Sequence, residues 1–457
     1  MVSLFGTSGI RGKVDEELSP ESCLQIGKAI GSMLPLNSRI CLSTDTRVSR
    51  DVIKTALASG LLSVGINVTA LGILPTPALA LLTKELGFDA GIMITASHNP
   101  PDYNGIKLFN RDSLGFSAEQ EEKIEGRYLS KKFQSTSWQE YGNLAKEGKG
   151  GEEYLLALEK KASSWKCDSH MRLVIDPGNG AACNLAPAFF QELGFEVSPV
   201  NNEPDGLFPG RGAEPTAETL EGTIKFLNEC GADLAICFDG DADRVVFCDR
   251  QGFLGYNEMI AFISRLAVKE SGKTRVATTV ETGRLLDAAV ADLNAEVSRT
   301  KVGDVSLAYS TKESDAAIGV EPAGIYILSQ VGYYPDSFLA ALFLLSHLND
   351  VGEIRDFFSH LPSLFFKKSK IPCPNSLKAK VAKMCQTKAS SFEGGKINTL
   401  DGMRIDFSDS WLLIRPSGTE PVIRVLTEAS SESRRKQLMT QGISLVKEAI
   451  TQAGEKT

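Results

Sequence analysis

The sequence predicts a multidomain α/β protein that ends in an α+β domain, and three observations point there. Apolar, strand-like runs alternate with helix-like segments through most of the chain, the arrangement that builds layered α/β domains. Two of these runs end in loops dense with polar groups, at the strand ends where open α/β sheets bind ligands. The 457 residues exceed what a single hydrophobic core organises, so several domains of roughly 100 to 150 residues are expected.

In the first unit, Arg39 to Ser43 reads as a strand, Asp51 to Val64 as a helix, Asn67 to Leu71 as a strand and Ala78 to Leu86 as a helix, before the apolar run Ala90 to Ile94. A second unit opens at Met171 to Asp176, turns at Pro177-Gly178-Asn179-Gly180, and continues as a helix through Leu193 and a strand from Asp233 to Phe238. The third holds strands at Arg275 to Val280, Glu296 to Arg299 and Asp315 to Gly319, with a helix from Gly283. The fourth, from near Ser369, mixes strands (Lys396 to Leu400, Trp411 to Arg415, Pro421 to Thr427) with a closing helix from Glu432 to Ala453. The expected domains are 1–150, 151–255, 256–368 and 369–457.

Composition narrows the function. A net charge of −8 argues against a nucleic-acid partner, which would call for clustered excess Lys and Arg. No apolar run reaches the roughly 18 residues of a membrane span, and the start Met-Val-Ser-Leu-Phe-Gly lacks a basic segment before an apolar core, so a cytoplasmic protein is expected. Nine cysteines without a Cys-x-x-Cys pair read as reduced packing residues.

The run Ala90 to Ile94 leads into Thr95-Ala96-Ser97-His98-Asn99-Pro100, which places a hydroxyl at a turn. Ser97 alone fits a plain Asn-Pro turn, and the surrounding residues are not the Gly-x-Ser-x-Gly elbow of an esterase. The loop Asp239-Gly-Asp241-Ala-Asp243-Arg244 says more. Three carboxylates at alternate positions can converge on one hard cation. An EF-hand is excluded, because Arg244 and Arg250 stand where its sixth-position Gly and twelfth-position Glu belong. Three carboxylates leave room for a phosphate oxygen, which suits Mg²⁺ in phosphoryl transfer.

Lys107 follows Asn104-Gly105-Ile106, near enough in sequence to share a pocket with Ser97. Among other cations its pKa is expected to fall, fitting it to move protons. Arg415-Pro-Ser417-Gly418-Thr419-Glu420-Pro421, with Arg424 beyond, combines guanidinium groups, hydroxyls and exposed backbone, the means of holding a phosphate dianion. Ser271-Gly272-Lys273-Thr274 is not a Walker A loop, since Ala267 occupies the place of its first glycine.

Together these motifs resemble the α-D-phosphohexomutase superfamily, from Gly6-Thr7-Ser8-Gly9-Ile10-Arg11-Gly12 to the Arg415 loop, across nearly the whole chain. The resemblance implies three α/β domains and a C-terminal α+β domain around a central cleft. It implies that Ser97 is the phosphoserine, that Asp239, Asp241 and Asp243 hold Mg²⁺ together with the Ser97 phosphate, and that Lys107 is the general acid/base. Arg11, His98 and Arg244 match positions near the transferring phosphoryl group. Lys301, Gly303, Glu321 and Ala323 match substrate-binding positions in the third domain. Arg415, Ser417, Gly418, Thr419 and Arg424 would grip the phosphate that is not reacting.

The implied reaction interconverts hexose 1- and 6-phosphates through a 1,6-bisphosphate. The small-molecule sugar phosphate is then the partner, with a homodimer as the assembly to test for. The family's sugar loop is often Gly-Glu-x-Ser-Gly-His, whereas this chain has Gly319-Val320-Glu321-Pro322-Ala323-Gly324-Ile325, which keeps Glu321 and replaces the serine and histidine. Its form is similar to that of phosphoglucosamine mutases and archaeal-type mutases, so glucosamine phosphate leads, ahead of mannose and glucose phosphates. A sugar-phosphate-binding homologue without turnover and a phosphatase are the alternatives.

Overall fold

The computed structural model describes residues 4–6, 8–167, 170–389, 392–418 and 420–454. They form four sheets. The first contains β1 (Ile10–Lys13), β2 (Arg39–Thr44), β3 (Asn67–Ile73), β4 (Ala90–Ile94), β5 (Tyr103–Asn110) and β6 (Leu144–Lys146), in the order β1-β5-β4-β2-β3-β6. Strands β2, β3, β4 and β6 run parallel, and β5 returns antiparallel to both β4 and β1. Strand β4 is buried along its whole length, as its continuous apolar sequence requires of a central parallel strand.

The second sheet joins β7 (Arg172–Asp176), β8 (Glu196–Pro199), β9 (Leu234–Phe238), β10 (Val245–Asp249) and β11 (Gly252–Phe253), in the order β11-β10-β9-β7-β8. The third has β12 (Arg275–Thr279), β13 (Glu296–Thr300), β14 (Ile318–Glu321) and β15 (Ile325–Leu328), in the order β13-β12-β14-β15. Both have parallel centres with antiparallel additions at one edge.

The fourth sheet is antiparallel throughout, β16-β20-β19-β18-β17, built from β16 (Phe365–Pro372), β17 (Lys396–Asn398), β18 (Met403–Asp406), β19 (Ser410–Pro416) and β20 (Val422–Ala429). The helix Glu432–Gly454 packs on it. Strand β16 begins at Phe365, ahead of the expected opening near Ser369, and pairs with β20 along its full length. Its Phe-Phe-Lys-Lys-Ser-Lys sequence is mostly exposed and so lacks the apolar run that marks a buried strand.

One hydrophobic core runs through the first three sheets. At its centre lies the helix Ser337–Ser346, whose residues are apolar on every side, the pattern of a helix buried all round. Phe338 there meets Tyr154, Phe189 and Phe238 edge-on or tilted, at 5.5, 5.8 and 5.2 Å between ring centres. The same core includes Met93 of β4, Phe238 of β9 and Val320 of β14, which ties together the three strands that lead into the polar loops. Among the described residues no helix is long and apolar enough to cross a membrane. All nine cysteines are free thiols.

Candidate active site

Ser97 leaves β4 with φ of 52°, a left-handed conformation that a serine adopts only at a cost and only where its surroundings enforce it. The enforcing group is Arg47, wholly buried just beyond β2. Its guanidinium donates to the carbonyls of Ser97 at 2.8 Å, Asn99 at 2.7 Å and Tyr103 at 2.9 Å, and also to Pro100. The fifth bond, at 3.0 Å, goes to Asp45. Asp45 also accepts the Thr95 hydroxyl at 2.7 Å, and Thr95 in turn accepts the Ser97 N–H at 2.8 Å. Ser97 Oγ is thereby aimed at the second sheet, where it donates to Asp239 Oδ2 at 2.6 Å.

Strand β9 delivers Asp239, and the chain turns back into β10 through Ala242, whose φ is 54°. Three contacts brace this turn. Ser337 Oγ donates to the Ala242 carbonyl at 2.6 Å, Thr76 N–H to the Asp241 carbonyl at 2.8 Å, and Thr76 Oγ1 to Asp241 Oδ2 at 2.6 Å. Gly240 passes so close that a Cβ there would lie 2.6 Å from the Ser97 carbonyl.

One carboxylate oxygen from each of Asp239, Asp241 and Asp243 lies within 4.8 Å of the others. Lys107 on β5 bridges two of them, 2.7 Å from Asp241 Oδ2 and 2.5 Å from Asp243 Oδ2. The Oδ1 atoms of Asp241 and Asp243 are buried with no hydrogen-bond partner. Buried carboxylate oxygens that lack donors are costly, and an all-oxygen set of this kind fits a hard divalent cation.

The charges are strongly coupled. Burial, then the neighbouring Asp241 and Asp243, raise the Asp239 carboxyl well above the usual range. Burial opposes the charge on Asp241 as well, but Lys107 and Thr76 hold that carboxyl low. Lys107 corrects an expectation: burial presses its ammonium down, yet Asp241 and Asp243 more than reverse this, and its pKa is raised instead of lowered. Lys107 itself is buried within β5.

His98 Nδ1 lies 3.3 Å from Ser97 Oγ, and Arg244, burial and Arg11 keep the imidazole neutral by pressing its pKa far down. Arg11 reaches Asn99 Oδ1 at 3.3 Å. The Nε atoms of Arg11 and Arg244 are buried without hydrogen-bond partners.

The third-domain loop closes against this centre. A Cβ at Gly324 would sit 2.6 Å from the Val245 carbonyl, and Val245 N–H donates to the Gly324 carbonyl at 2.9 Å, so the loop between β14 and β15 is seated on the exit of the acidic turn. Ala323 N–H donates to the Glu321 carbonyl at 2.7 Å. Burial pushes Glu321 up to about 7 against the pull of Arg244. Gly303, with φ of 128°, precedes the helix Asp304–Glu313, and Asp304 accepts the Ser8 hydroxyl at 2.6 Å. Lys301 stands exposed beyond β13 and forms no salt bridge among the described residues.

On the fourth sheet Arg415 and Arg424 project side by side from β19 and β20. Arg415 pairs with Glu281 at 2.8 Å and Asp401 at 3.1 Å, and Arg424 pairs with Glu420 at 3.0 Å. Ser417 Oγ accepts the Glu420 N–H at 3.1 Å, which leaves its own proton available to a ligand. Lys378 ties the loop from below, donating to the carbonyls of Ser417 at 2.5 Å and Glu420 at 2.9 Å. Gly418 is exposed at the tip, while Thr419, like Thr7 of the N-terminal motif, lies outside the described residues. A cavity of about 770 Å³ separates this loop from Arg11, Ser8 and Asn99, a size that admits a phosphorylated sugar.

Four family descriptions match in succession: phosphoglucomutase/phosphomannomutase alpha/beta/alpha domain I over residues 2–135, domain II over 152–252, domain III over 255–363 and the C-terminal domain over 370–442. The chain belongs to the phosphoglucomutase/phosphomannomutase family. It is 40% identical over 455 residues to a protein of Pyrococcus abyssi named "Probable phosphoglucosamine mutase", covering 99% of this chain and 100% of that one. It is 37% identical to the "Phosphoglucomutase/phosphomannomutase" of Thermococcus kodakarensis, covering 98% of this chain and 100% of that one. A crystal structure of a phosphoglucomutase/phosphomannomutase family protein from Burkholderia thailandensis superposes with a TM-score of 0.85 at 25% identity, covering 98% of each chain.

Within this phosphohexomutase architecture, sequence reasoning missed Arg47, Thr76, Glu281 and Lys378. Arg47 and Glu281 share a signal that was open to reading: each falls just after the end of an apolar strand, as Asp239 does. Thr76 and Lys378 sit in helices and carry no comparable mark.

Proposed function

We propose that this phosphohexomutase interconverts glucosamine 1-phosphate and glucosamine 6-phosphate through phospho-Ser97 and a 1,6-bisphosphate. The observation that carries this is the convergence of a strained Ser97 Oγ, 2.6 Å from Asp239, with Lys107 bridging Asp241 and Asp243 across the same pocket. Glucosamine is preferred because the relative at 40% identity bears that name.

Arg415, Arg424, Ser417 and the exposed Gly418 backbone bind the idle phosphate across the cleft and hold the sugar with its free hydroxyl toward Ser97. That hydroxyl oxygen attacks the phosphorus of phospho-Ser97, the P–O bond to Ser97 breaks, and the hydroxyl proton passes to Lys107 Nζ. Lys107 accepts that proton only when the charge of Asp241 and Asp243 is otherwise compensated, since those carboxylates hold its own proton in place. Asp239, Asp241 and Asp243 would hold Mg²⁺, which when bound neutralises charge on the phosphoryl oxygens. Arg11 and Arg244 bring guanidinium groups to the same oxygens, and neutral His98 donates or accepts one hydrogen bond beside Ser97. After the bisphosphate turns over, Ser97 takes the other phosphoryl group back. Glu321 accepts hydrogen bonds from sugar hydroxyls throughout.

The test is a ³¹P NMR time course with Mg²⁺, trace glucose 1,6-bisphosphate and, separately, glucosamine, mannose and glucose 1-phosphates. Fastest conversion of glucosamine 1-phosphate to its 6-phosphate supports the reading. Free phosphate would indicate a phosphatase, unchanged spectra a binding homologue, and faster conversion of mannose or glucose would reassign the sugar. A cytoplasmic homodimer is part of the same proposal, and sedimentation velocity tests the assembly.

A further inference from the structure

The phosphate cradle already contains a carboxylate contributed by a different domain. Glu281 follows β12 of the third sheet, yet its Oε1 lies 2.8 Å from Arg415 Nη1 and 3.9 Å from Arg424 Nη1, and its Oε2 lies 3.4 Å from Lys368. It therefore sits on the cations that would bind a phosphate dianion.

The backbone that carries Glu281 is anchored without help from this side chain. Arg404, buried on β18, donates to the carbonyls on either side, Val280 at 2.6 Å and Thr282 at 2.8 Å. Arg404 is itself stacked 4.3 Å from the Trp411 ring and paired with Asp406 at 2.8 Å. The next residues are held as well, because Arg284 N–H donates to Glu428 at 2.8 Å. Val280 packs with Trp411, Leu413 and Leu426 in a small core of its own. The loop is thus docked on the fourth sheet by one set of contacts, and the Glu281 carboxylate is left to act on the cradle.

Resting on the reading of Arg415, Ser417 and Arg424 as a phosphate cradle, we propose that Glu281 is a resident counter-ion that exchanges with the substrate phosphate. In the empty cradle Glu281, Asp401 and Glu420 neutralise Arg415 and Arg424. An arriving phosphate takes the guanidinium donors from Glu281, which keeps Lys368 as its partner. The competition weakens phosphate binding, and that weakness serves a reaction in which a bisphosphate must leave the cradle, turn over and return by its other end. A cradle of unopposed arginines would hold the intermediate in one orientation.

The test is calorimetric titration of glucosamine 6-phosphate into Ser97→Ala protein, alone and with Glu281→Gln, Glu281→Ala or Arg415→Ala added. Glu281→Gln keeps the shape and one acceptor oxygen for Arg415 while removing the charge, and Glu281→Ala provides a second variant should the amide disturb folding. Affinity is expected to rise about tenfold in both, equivalent to about 1.4 kcal/mol, and steady-state assays on protein that retains Ser97 should show KM and kcat falling together. A carboxylate that merely braced the interface would give the opposite sign, with weaker binding and a higher KM, and that result or unchanged affinity overturns the proposal. Undiminished binding by Arg415→Ala would instead remove the cradle reading on which it rests.

Discussion

Arg415 and Arg424 stand directly opposite one another on β19 and β20, paired Cα to Cα on one face of the fourth sheet. Like charges at facing positions destabilise a sheet, and Lys370 extends the row from β16 as the partner of Arg424 on its other side. The repulsion is offset by Glu281, Asp401 and Glu420. A local rule of sheet building is broken at the place proposed to bind a phosphate, and functional sites are where such conflicts are expected in a natural protein.

Replacing Arg415 by lysine is therefore not conservative. Lysine keeps the charge but cannot span Glu281, Asp401 and a phosphate oxygen with a planar fork. One charged hydrogen bond is worth about 1.5–3 kcal/mol, so KM for the sugar phosphate should rise roughly 10- to 100-fold with a smaller change in kcat. Steady-state kinetics check this, and an unchanged KM would place the idle phosphate elsewhere.

Ser97 should reveal its strain when its hydroxyl is removed in two ways. Ser97→Ala and Ser97→Gly both lose the Oγ and the bond to Asp239, and both should lose turnover. They differ in tolerance of φ near 52°, which favours glycine by about 1 kcal/mol. Urea unfolding should find the glycine variant the more stable of the two. Equal stabilities would mean that the left-handed turn costs the wild type nothing.

The parts of this site that are legible in the sequence are those whose chemistry is concentrated in one short segment. Asp239, Asp241 and Asp243 lie in a single turn, and Arg415 to Glu420 in another. The α/β alternation is legible because β2, β4, β7 and β9 are buried strands with apolar sequences. Strand β16 opens earlier than its sequence suggests because it is polar and exposed. For Arg47 and Glu281 the sequence marks only the position past a strand end, because the partners that define their roles are distant along the chain: Arg47 reaches carbonyls about fifty residues away and Glu281 an arginine 134 residues away. The Lys107 shift runs against expectation for the same reason, since the motifs suggest cations around it and the fold instead sets it between two carboxylates.

Arg47→Met tests how much the nucleophile turn depends on one buried cation. The substitution leaves Asp45 buried without its ion pair and frees four carbonyls. Breaking a buried pair from one side costs about 3–5 kcal/mol, so a fall of that size in unfolding free energy is expected, together with loss of Ser97 phosphorylation by glucose 1,6-bisphosphate. Adding Asp45→Asn should recover part of the stability without recovering phosphorylation. A stable, fully phosphorylated Arg47→Met protein would show that the turn forms without it.

Magnesium should stabilise the fold through the acidic turn. A ligand that binds only the folded state at 100 times its Kd adds about 2.7 kcal/mol, and the buried Oδ1 atoms of Asp241 and Asp243, which have no hydrogen-bond partner, offer the place for it. Differential scanning calorimetry should show a higher melting temperature with Mg²⁺ than with EDTA, and little difference in Asp243→Asn. An equal gain in that variant would move the cation to another site.

Glu321 should give both stability and substrate affinity a pH dependence. Burial pushes its carboxyl up to about 7, with Arg244 opposing, whereas in the unfolded chain it ionises near its ordinary value of about 4.3. Between these values the fold retains a proton that the unfolded chain has released, so the stabilising contribution is full below about pH 4 and is lost as pH rises through about 7. The stability of the wild type relative to Glu321→Gln should therefore decline across that window. Substrate affinity runs the other way, because the ionised carboxylate is the better acceptor for sugar hydroxyls, and KM should rise as the pH falls below 7. The substrate phosphate also titrates, with a second pKa of about 6, but it does so alike in both proteins, so the ratio of their KM values isolates Glu321. A ratio that stays constant from pH 6 to 8, on the scale set by the ordinary carboxyl value of about 4.3, would show that the carboxyl does not change charge there or does not touch the sugar.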